Sequence, residues 1–339
     1  MKLSRDNLRG ISGILLAILV IALIREVKPS NSSAADFACN QPGKETVVSI
    51  VSGESGSSIA RQLESLQVVL SAQAFFRVAV ADERASTIAP GNHRISTNLC
   101  ATEALEQLLD TSRITNLLAI NEGAWNREIG EKLISIGFPS AQVRTALSSY
   151  PLPVGYTSLE GLLFPAQYSF DSATTLNEIL DSLVARSLKE IKRAGIATEK
   201  DNFTPQQLLT IASLLEAEGR TGDYRKISQV VRNRLRVGMP LQFDSTVHYI
   251  EGKRGSIFLS TKSTLLKSPY NTYQRYGLPP GPINNPGFLA MAAAANPEPG
   301  DWLYFITVAP GETRFTKSFA EFSEWKVLYK KNLREGKFG

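Results

Sequence analysis

TPQQLLTIASLLEAEG, residues 204–219, reads as a helix that carries a buried carboxylate to the floor of a cleft. Thr204 suits the N-cap, and Pro205 suits the first helical position, where an N–H would be unpaired anyway. Gln207, three residues after Thr204, completes a capping box. Leu208, Leu209, Ile211, Ala212, Leu214 and Leu215 cover so wide an arc that the helix must be packed on most sides. At its end stand Glu216, Glu218 and the helix-stopping Gly219. Acids there face the negative pole of the helix dipole, and this, with partial burial, opposes ionisation. A carboxyl still protonated near neutrality is what a general acid requires. The same residues also read as an ordinary helix end with two solvated glutamates, and the helix alone does not choose.

Working outward, 339 residues suffice for two domains, and 43% hydrophobic with 20% charged residues is a folded-protein composition. The net charge of +5 is modest and spread out, so it does not indicate nucleic acid. Zinc spacing, P-loop and dinucleotide fingerprint are missing. With only two His and two Cys, no metal and no cofactor is expected. Residues 1–9 carry Lys2, Arg5 and Arg9 ahead of the uncharged run GISGILLAILVIALI at 10–24. That run is shorter than the roughly 20 residues of a spanning helix, but Arg9, Arg25 and Lys28 can snorkel to the interfaces. A cleaved signal is the competing reading, yet its nearest small-residue site, Ser33-Ala34-Ala35, lies well past the run. The expectation is a cytoplasmic tail at 1–9, an uncleaved single-pass anchor over 10–27 and an exported remainder. Cys39 and Cys100 fit such a compartment as a disulfide, or are two unrelated buried thiols.

Residues 28–44 read as a linker. A small α+β unit follows over 45–112: a strand at 46–51, a helix at 57–70 continuing through 74–80, an extended piece at 91–95 and a helix at 102–109 capped by Thr102. The larger α+β domain, 113–339, opens with a strand at 116–120 and a helix at 122–136 with Ile129, Leu133 and Ile134 inward. A helix at 140–149 and the loop LEGLLFPAQY at 159–168, with its single acid Glu160, come next. After helices at 177–194 and 204–219, the helix at 223–236 carries Arg225, Lys226, Arg232, Arg234 and Arg236, mostly a solvated face, with one of them able to hold an anionic sugar substituent. LQFDSTVHYI at 241–250 mixes polar and aromatic residues. SPYNTYQRYGLPPGPINNPG, residues 268–287, holds five Pro, three Gly, three Tyr and three Asn and can be neither helix nor central strand. A loop this long in a compact domain is functional or disordered, and its aromatics argue against disorder. Tyrosine faces and asparagine amides suit a carbohydrate cleft. The chain closes with a helix at 290–295, a core strand at 302–308, its partner at 313–316 and a helix at 319–332.

LLTIASLLEAEGR, VVRNRLRVGMPLQFDSTVHY, SPYNTYQRYGLPPGPINNPG, AAAANP and DWLYFI resemble, in order and approximate spacing, the endolytic murein transglycosylases, the YceG-like proteins. The apolar segment and LEGLLFP agree, so the resemblance covers nearly the whole chain, and residues 46–110 are similar to that family's LysM-like subdomain. It implies a membrane-anchored lytic transglycosylase that cuts nascent peptidoglycan glycan strands beside the peptidoglycan synthases. Such enzymes break the MurNAc-β-1,4-GlcNAc bond and leave a 1,6-anhydro end. The catalytic acid then falls on Glu218, and Gln242, Asp244, Asn271 and Tyr273 match positions that line the cleft. Asp244 is a second acid or a loop-fixing hydrogen bonder; Glu160 orients backbone or touches sugar. The chain departs from the pattern at Gly219, usually Thr, at Ala166 and Gln167, usually Asp-Thr, and at Arg314 and Phe322, usually His. A two-carboxylate glycoside hydrolase and a silent peptidoglycan-binding scaffold remain as alternatives.

Overall fold

The computed structural model describes residues 34–338 apart from 52, 171–172 and 255–258. The chain forms two compact α+β units, the second starting at Asn116. The expected anchor, residues 10–27, lies outside the described residues. Among those described, no helix is long and apolar enough to cross a membrane.

In the first unit, β1 (Glu45–Ile50), β2 (Gly91–Ser96) and β3 (Ile114–Thr115) make an antiparallel sheet in that order. Helices α1 (Gly56–Ser65), α2 (Ala72–Ala81) and α3 (Ala101–Leu109) complete a core of Val48, Leu63, Phe75, Ile95, Leu105 and Leu108. The helix expected through residue 70 stops at Ser65. Gln67 takes a left-handed φ of 55°, Val68 and Val69 turn into the core, and Ser71 caps a separate α2. Periodicity cannot see that break because the apolar residues of the turn are buried like those of the helices. Thr102 does not cap α3, which begins one residue earlier. Cys100 holds the cap position, and the Asp36 carboxylate accepts the Ala101 N–H at 3.1 Å.

The second unit is built around α7 (Pro205–Glu218). Before it come β4 (Leu117–Ala119), α4 (Asn126–Ser135), α5 (Ser140–Ser149), β5 (Gln167–Ser169), antiparallel to β4, and α6 (Leu176–Ala194). After it come α8 (Tyr224–Arg236), α9 (Asp244–Glu251), α10 (Thr261–Thr264), α11 (Phe288–Ala295), the antiparallel hairpin β6 (Tyr304–Ala309) and β7 (Glu312–Thr316), and α12 (Phe319–Arg334). The α7 capping box is present: Thr204 Oγ1 accepts from Gln207 N, and Gln207 Oε1 accepts from Thr204 N at 2.9 Å. Every residue from Leu208 to Leu215 is buried, with the small side chains of α11 letting that helix lie close along α7.

Three expectations fail here. The helix expected from residue 122 starts at Asn126, where the Glu128 carboxylate accepts the Trp125 N–H, and Ile134, expected inward, is 39% exposed. Residues 302–308 are not a core strand: β6 belongs to a two-stranded hairpin and only Val308 is fully buried. Its apolar content instead forms an aromatic layer, with Tyr304 stacked on Phe322 and Phe305 on Phe315. Gly219 does stop α7, in an extended conformation with φ −129°.

Cys39 and Cys100 are disulfide-bonded across 61 residues, enclosing most of the first unit. Closing a loop of that length removes entropy from the unfolded chain worth about 4 kcal/mol. Reduction, or Cys39→Ser with Cys100→Ser, is expected to lower hydrogen-exchange protection of α1–α3 by about that free energy, measured by mass spectrometry on the full chain.

Candidate active site

The end of α7 meets the start of α9. Thr272, buried in the 268–287 loop, fixes that start: its carbonyl accepts the Gln242 N–H at 3.1 Å and its hydroxyl accepts the Phe243 N–H at 2.9 Å. Thr246, one turn into α9, hydrogen-bonds Thr272 Oγ1 at 3.0 Å and the Phe243 carbonyl at 2.7 Å. So held, α9 aims its first-turn Ser245 N–H at Glu218 Oε1, 3.2 Å away. The carboxyl at the negative pole of α7 thus faces the positive pole of α9, and the dipole effect expected from α7 alone is opposed. Burial decides the balance. It pushes the Glu218 pKa up to about 7 against the Ser245 hydrogen bond, with Asp244 adding to the rise and the Arg234 guanidinium opposing it.

Asp244, the first residue of α9, accepts the Tyr273 hydroxyl on Oδ1. Asn271 is fully buried, and its amide donates to Thr264 O and Leu266 O at 3.1 and 2.8 Å while its Oδ1 accepts the Tyr273 N–H at 3.0 Å. It therefore sets the loop rather than lining a cleft. Gln242 is exposed at a left-handed φ of 50°, and its backbone makes the turn into α9. Glu216 points elsewhere, as its offset of two residues from Glu218 requires: it accepts Tyr224 OH at 2.8 Å and the Gly287 N–H at 2.9 Å. A Cβ on Gly219 would lie 2.5 Å from Ile227 Cδ1, so the threonine usual there would require Ile227 to shift.

Sequence reasoning missed Arg234. The α8 basic residues were expected on a solvated face, but Arg234 is 7% exposed and donates to Leu303 O at 2.7 Å and to Leu241 O. Arg232 is also turned inward, onto Ser228 Oγ and Ala294 O at 2.8 Å. The signal was available: Ile227, Val230, Val231 and position 234 lie on one helical stripe, and a cation on an apolar stripe needs buried partners.

Glu160 joins a different cluster. Its Oε1 accepts the Asn126 N–H at 3.0 Å and its Oε2 the Tyr249 hydroxyl at 3.2 Å. Beside it, Asn285 Oδ1 accepts the N–H groups of Gly161 and Leu163 at 3.1 and 2.8 Å, and Asn285 Nδ2 donates to Ala124 O at 2.9 Å. Gly161 sits at φ +92°, and a Cβ there would lie 2.7 Å from Pro282, so only glycine fits where these two loops cross.

Burial pushes the Glu160 pKa up to about 7, against the Asn126 and Tyr249 hydrogen bonds. The unfolded value is near 4.5, so the folded chain holds the extra proton, and stability is lost as pH rises from about 4.5 through 7, by up to about 3 kcal/mol. Glu160→Gln is expected to melt like the parent at pH 5 and above it at pH 8, read by thermal unfolding at both pH values.

A sequence model of the YceG-like family matches residues 48–326. The chain is 40% identical over 173 residues to a protein of Bacillus subtilis (strain 168) named endolytic murein transglycosylase, covering 50% of this chain and 48% of that one. It is 36% identical over 207 residues to a protein of the same name from Streptococcus pneumoniae serotype 2 (strain D39), covering 57% of this chain and 35% of that one. The chain thus spans about half the length of the first relative and about a third of the second. A 2.6 Å crystal structure of a YceG-like protein from Listeria monocytogenes superposes with a TM-score of 0.56 at 28% identity, covering 83% of this chain and 99% of that one. With the family match running through both units and across the Glu218 site, the chain belongs to the YceG-like family.

Proposed function

We propose that this chain is an endolytic lytic transglycosylase of peptidoglycan, with Glu218 as its acid and then its base. The observation that carries the reading is the Glu218 carboxyl set where the end of α7 meets the start of α9, with the Ser245 N–H on its Oε1 and burial pushing its pKa up to about 7. Relatives named endolytic murein transglycosylase support the substrate class.

In this reading protonated Glu218 donates to the glycosidic oxygen of the MurNAc-β-1,4-GlcNAc bond as that bond breaks through an oxocarbenium-like state. Glu218, now a carboxylate, takes the proton of the muramyl C6 hydroxyl as its oxygen bonds to C1. The proton count closes, no water is consumed, and a 1,6-anhydro end results. A conventional glycosidase needs two carboxyl groups; here the second reactant is part of the substrate, so proximity replaces it. Asp244 raises the proton affinity of Glu218, and Tyr273 holds Asp244 in place. That tether argues against Asp244 as a free base for water, the requirement of the hydrolase reading. The Ser245 N–H and Arg234 ease the carboxylate stage of the cycle.

The anchor over 10–27, the extracytoplasmic location, the LysM-like character of residues 45–112 and work beside peptidoglycan synthases belong to the same proposal. The Cys39–Cys100 disulfide supports an oxidising compartment.

Glu218→Gln is expected to lower turnover of uncrosslinked glycan strands by about 10²- to 10⁴-fold. Product masses should carry anhydro ends; reducing ends with added water would indicate hydrolysis, and unchanged turnover in the variant would indicate a scaffold. Because the starting acid must be protonated, kcat/KM should fall as pH rises through about 7. Asp244→Asn removes a neighbouring negative charge and should move that fall to lower pH, read from the pH–rate profile.

A further inference from the structure

The first turn of α9 carries two hydroxyls, and they behave differently. Thr246 Oγ1 turns back onto the Phe243 carbonyl at 2.7 Å and meets Thr272 Oγ1 at 3.0 Å, the ordinary course for a hydroxyl inside a helix. Ser245 Oγ does not follow it. It is buried, and among the described residues no donor or acceptor meets it in hydrogen-bond geometry. The carbonyl four residues back, Leu241 O, already accepts from Arg234.

Beside that hydroxyl lies the Glu218 carboxyl. The Ser245 N–H donates to Glu218 Oε1 at 3.2 Å, and the Ser245 hydroxyl is near enough to act with the amide in lowering the Glu218 pKa from the value burial alone would give. The amide and the hydroxyl of one residue thus converge on one carboxyl. From α7 no hydroxyl can do the same: Gly219 has no side chain, and a Cβ there would lie 2.5 Å from Ile227 Cδ1 and 3.3 Å from Tyr224 Cδ1. The other charged or titratable groups around Glu218 are Asp244, Arg234 and Tyr273. Asp244 and Tyr273 are tied to each other, and Arg234 is tied to the carbonyls of Leu241 and Leu303.

The two groups of Ser245 serve a carboxyl differently. An amide N–H only donates, so it favours the carboxylate. A hydroxyl donates to the carboxylate and can turn a lone pair to the neutral acid. A second amide in its place would penalise the resting acid; a hydroxyl strengthens only as charge develops.

We propose that Ser245 is a positioning residue for Glu218, its hydroxyl joining its amide as the second donor to the carboxylate formed when the glycosidic oxygen takes the proton. The serine keeps its own proton throughout. The proton that moves leaves Glu218 and is replaced from the muramyl C6 hydroxyl. The reaction rests on the reading given under Proposed function; the convergence of amide and hydroxyl on the carboxyl rests on the geometry.

The test compares the full parent chain with Ser245→Ala, Ser245→Thr and Glu218→Gln on uncrosslinked glycan strands, with thermal melting as the check on folding. Ser245→Ala removes the hydroxyl and keeps the amide. It should lower kcat about tenfold with KM unchanged. It should also move the alkaline fall of kcat/KM to higher pH, opposite to the effect of Asp244→Asn, because the ionised form has lost a donor. Ser245→Thr, which keeps a hydroxyl, should recover both. The same shift should appear without substrate: the carboxyl band that Glu218→Gln removes from the infrared difference spectrum should titrate at higher pH in Ser245→Ala. A lower kcat with the pH profile and the band unmoved would mean that Ser245 only packs α9. Parental kinetics in Ser245→Ala, or no recovery in a Ser245→Thr chain that melts like the parent, would mean that the hydroxyl does not serve the carboxylate. Each of these overturns the inference and leaves the transglycosylase reading intact, whereas parental turnover in Glu218→Gln removes both.

Discussion

Two irregular segments are buried at the centre of the second unit, and a buried segment without a ladder must have its backbone groups satisfied by side chains. Residues 159–165 and 281–287 are buried throughout. Asn285 joins them: one amide takes two N–H groups of the first segment and returns a donor to Ala124 O. Asn284 and Ile283 tie the second segment to Ser213, midway along α7, through Asn284 Nδ2 to Ser213 O at 2.8 Å and the Ile283 N–H to Ser213 Oγ at 3.0 Å. The loop is thus seated on the central helix. Upstream in the same loop, Asn271 and Thr272 fix the start of α9. Glu218 owes its environment to this chain of constraints.

The electrostatics follow from the same arrangement. Two carboxyls of this unit, Glu160 and Glu218, are desolvated to pKa values of about 7, but their settings differ. The two oxygens of Glu160 are engaged by an amide and a phenol. Glu218 accepts on Oε1 from the Ser245 amide of α9, and Asp244 and Arg234 act on it through space. A carboxyl with both oxygens tied holds structure; one under opposed influences from a cation, an anion and a helix pole is suited to exchanging a proton.

Arg234 shows how the hairpin joins this scheme. Asn233 donates to Gly300 O and Trp302 O, and Arg234 donates to Leu303 O, so the last turn of α8 fastens the chain entering β6. Phe305 of β6 meets Phe243, the cap residue of α9, edge-on at 6.1 Å. A two-stranded hairpin is marginal alone; here side-chain-to-backbone hydrogen bonds and an aromatic layer hold it.

From the residues alone came the α+β class, the α7 helix with its capping box, the irregular 268–287 loop and a pair of acids at the helix end, Glu216 and Glu218, between which the family resemblance chose Glu218. Each depends on local chemistry: helix period, cap donors, proline and glycine content. The family resemblance supplied Gln242, Asp244, Asn271, Tyr273 and Glu160 as one set of cleft residues. Tertiary structure divided that set: Asp244 and Tyr273 beside Glu218, Asn271 and Gln242 into loop geometry, Glu160 into a separate buried cluster. It also turned Arg234 inward and put the start of α9 against the end of α7. Those outcomes depend on which distant backbone groups needed partners and on how much water each carboxyl lost. Both quantities are set by packing between segments far apart in sequence, where hydrophobic period and turn chemistry carry no information.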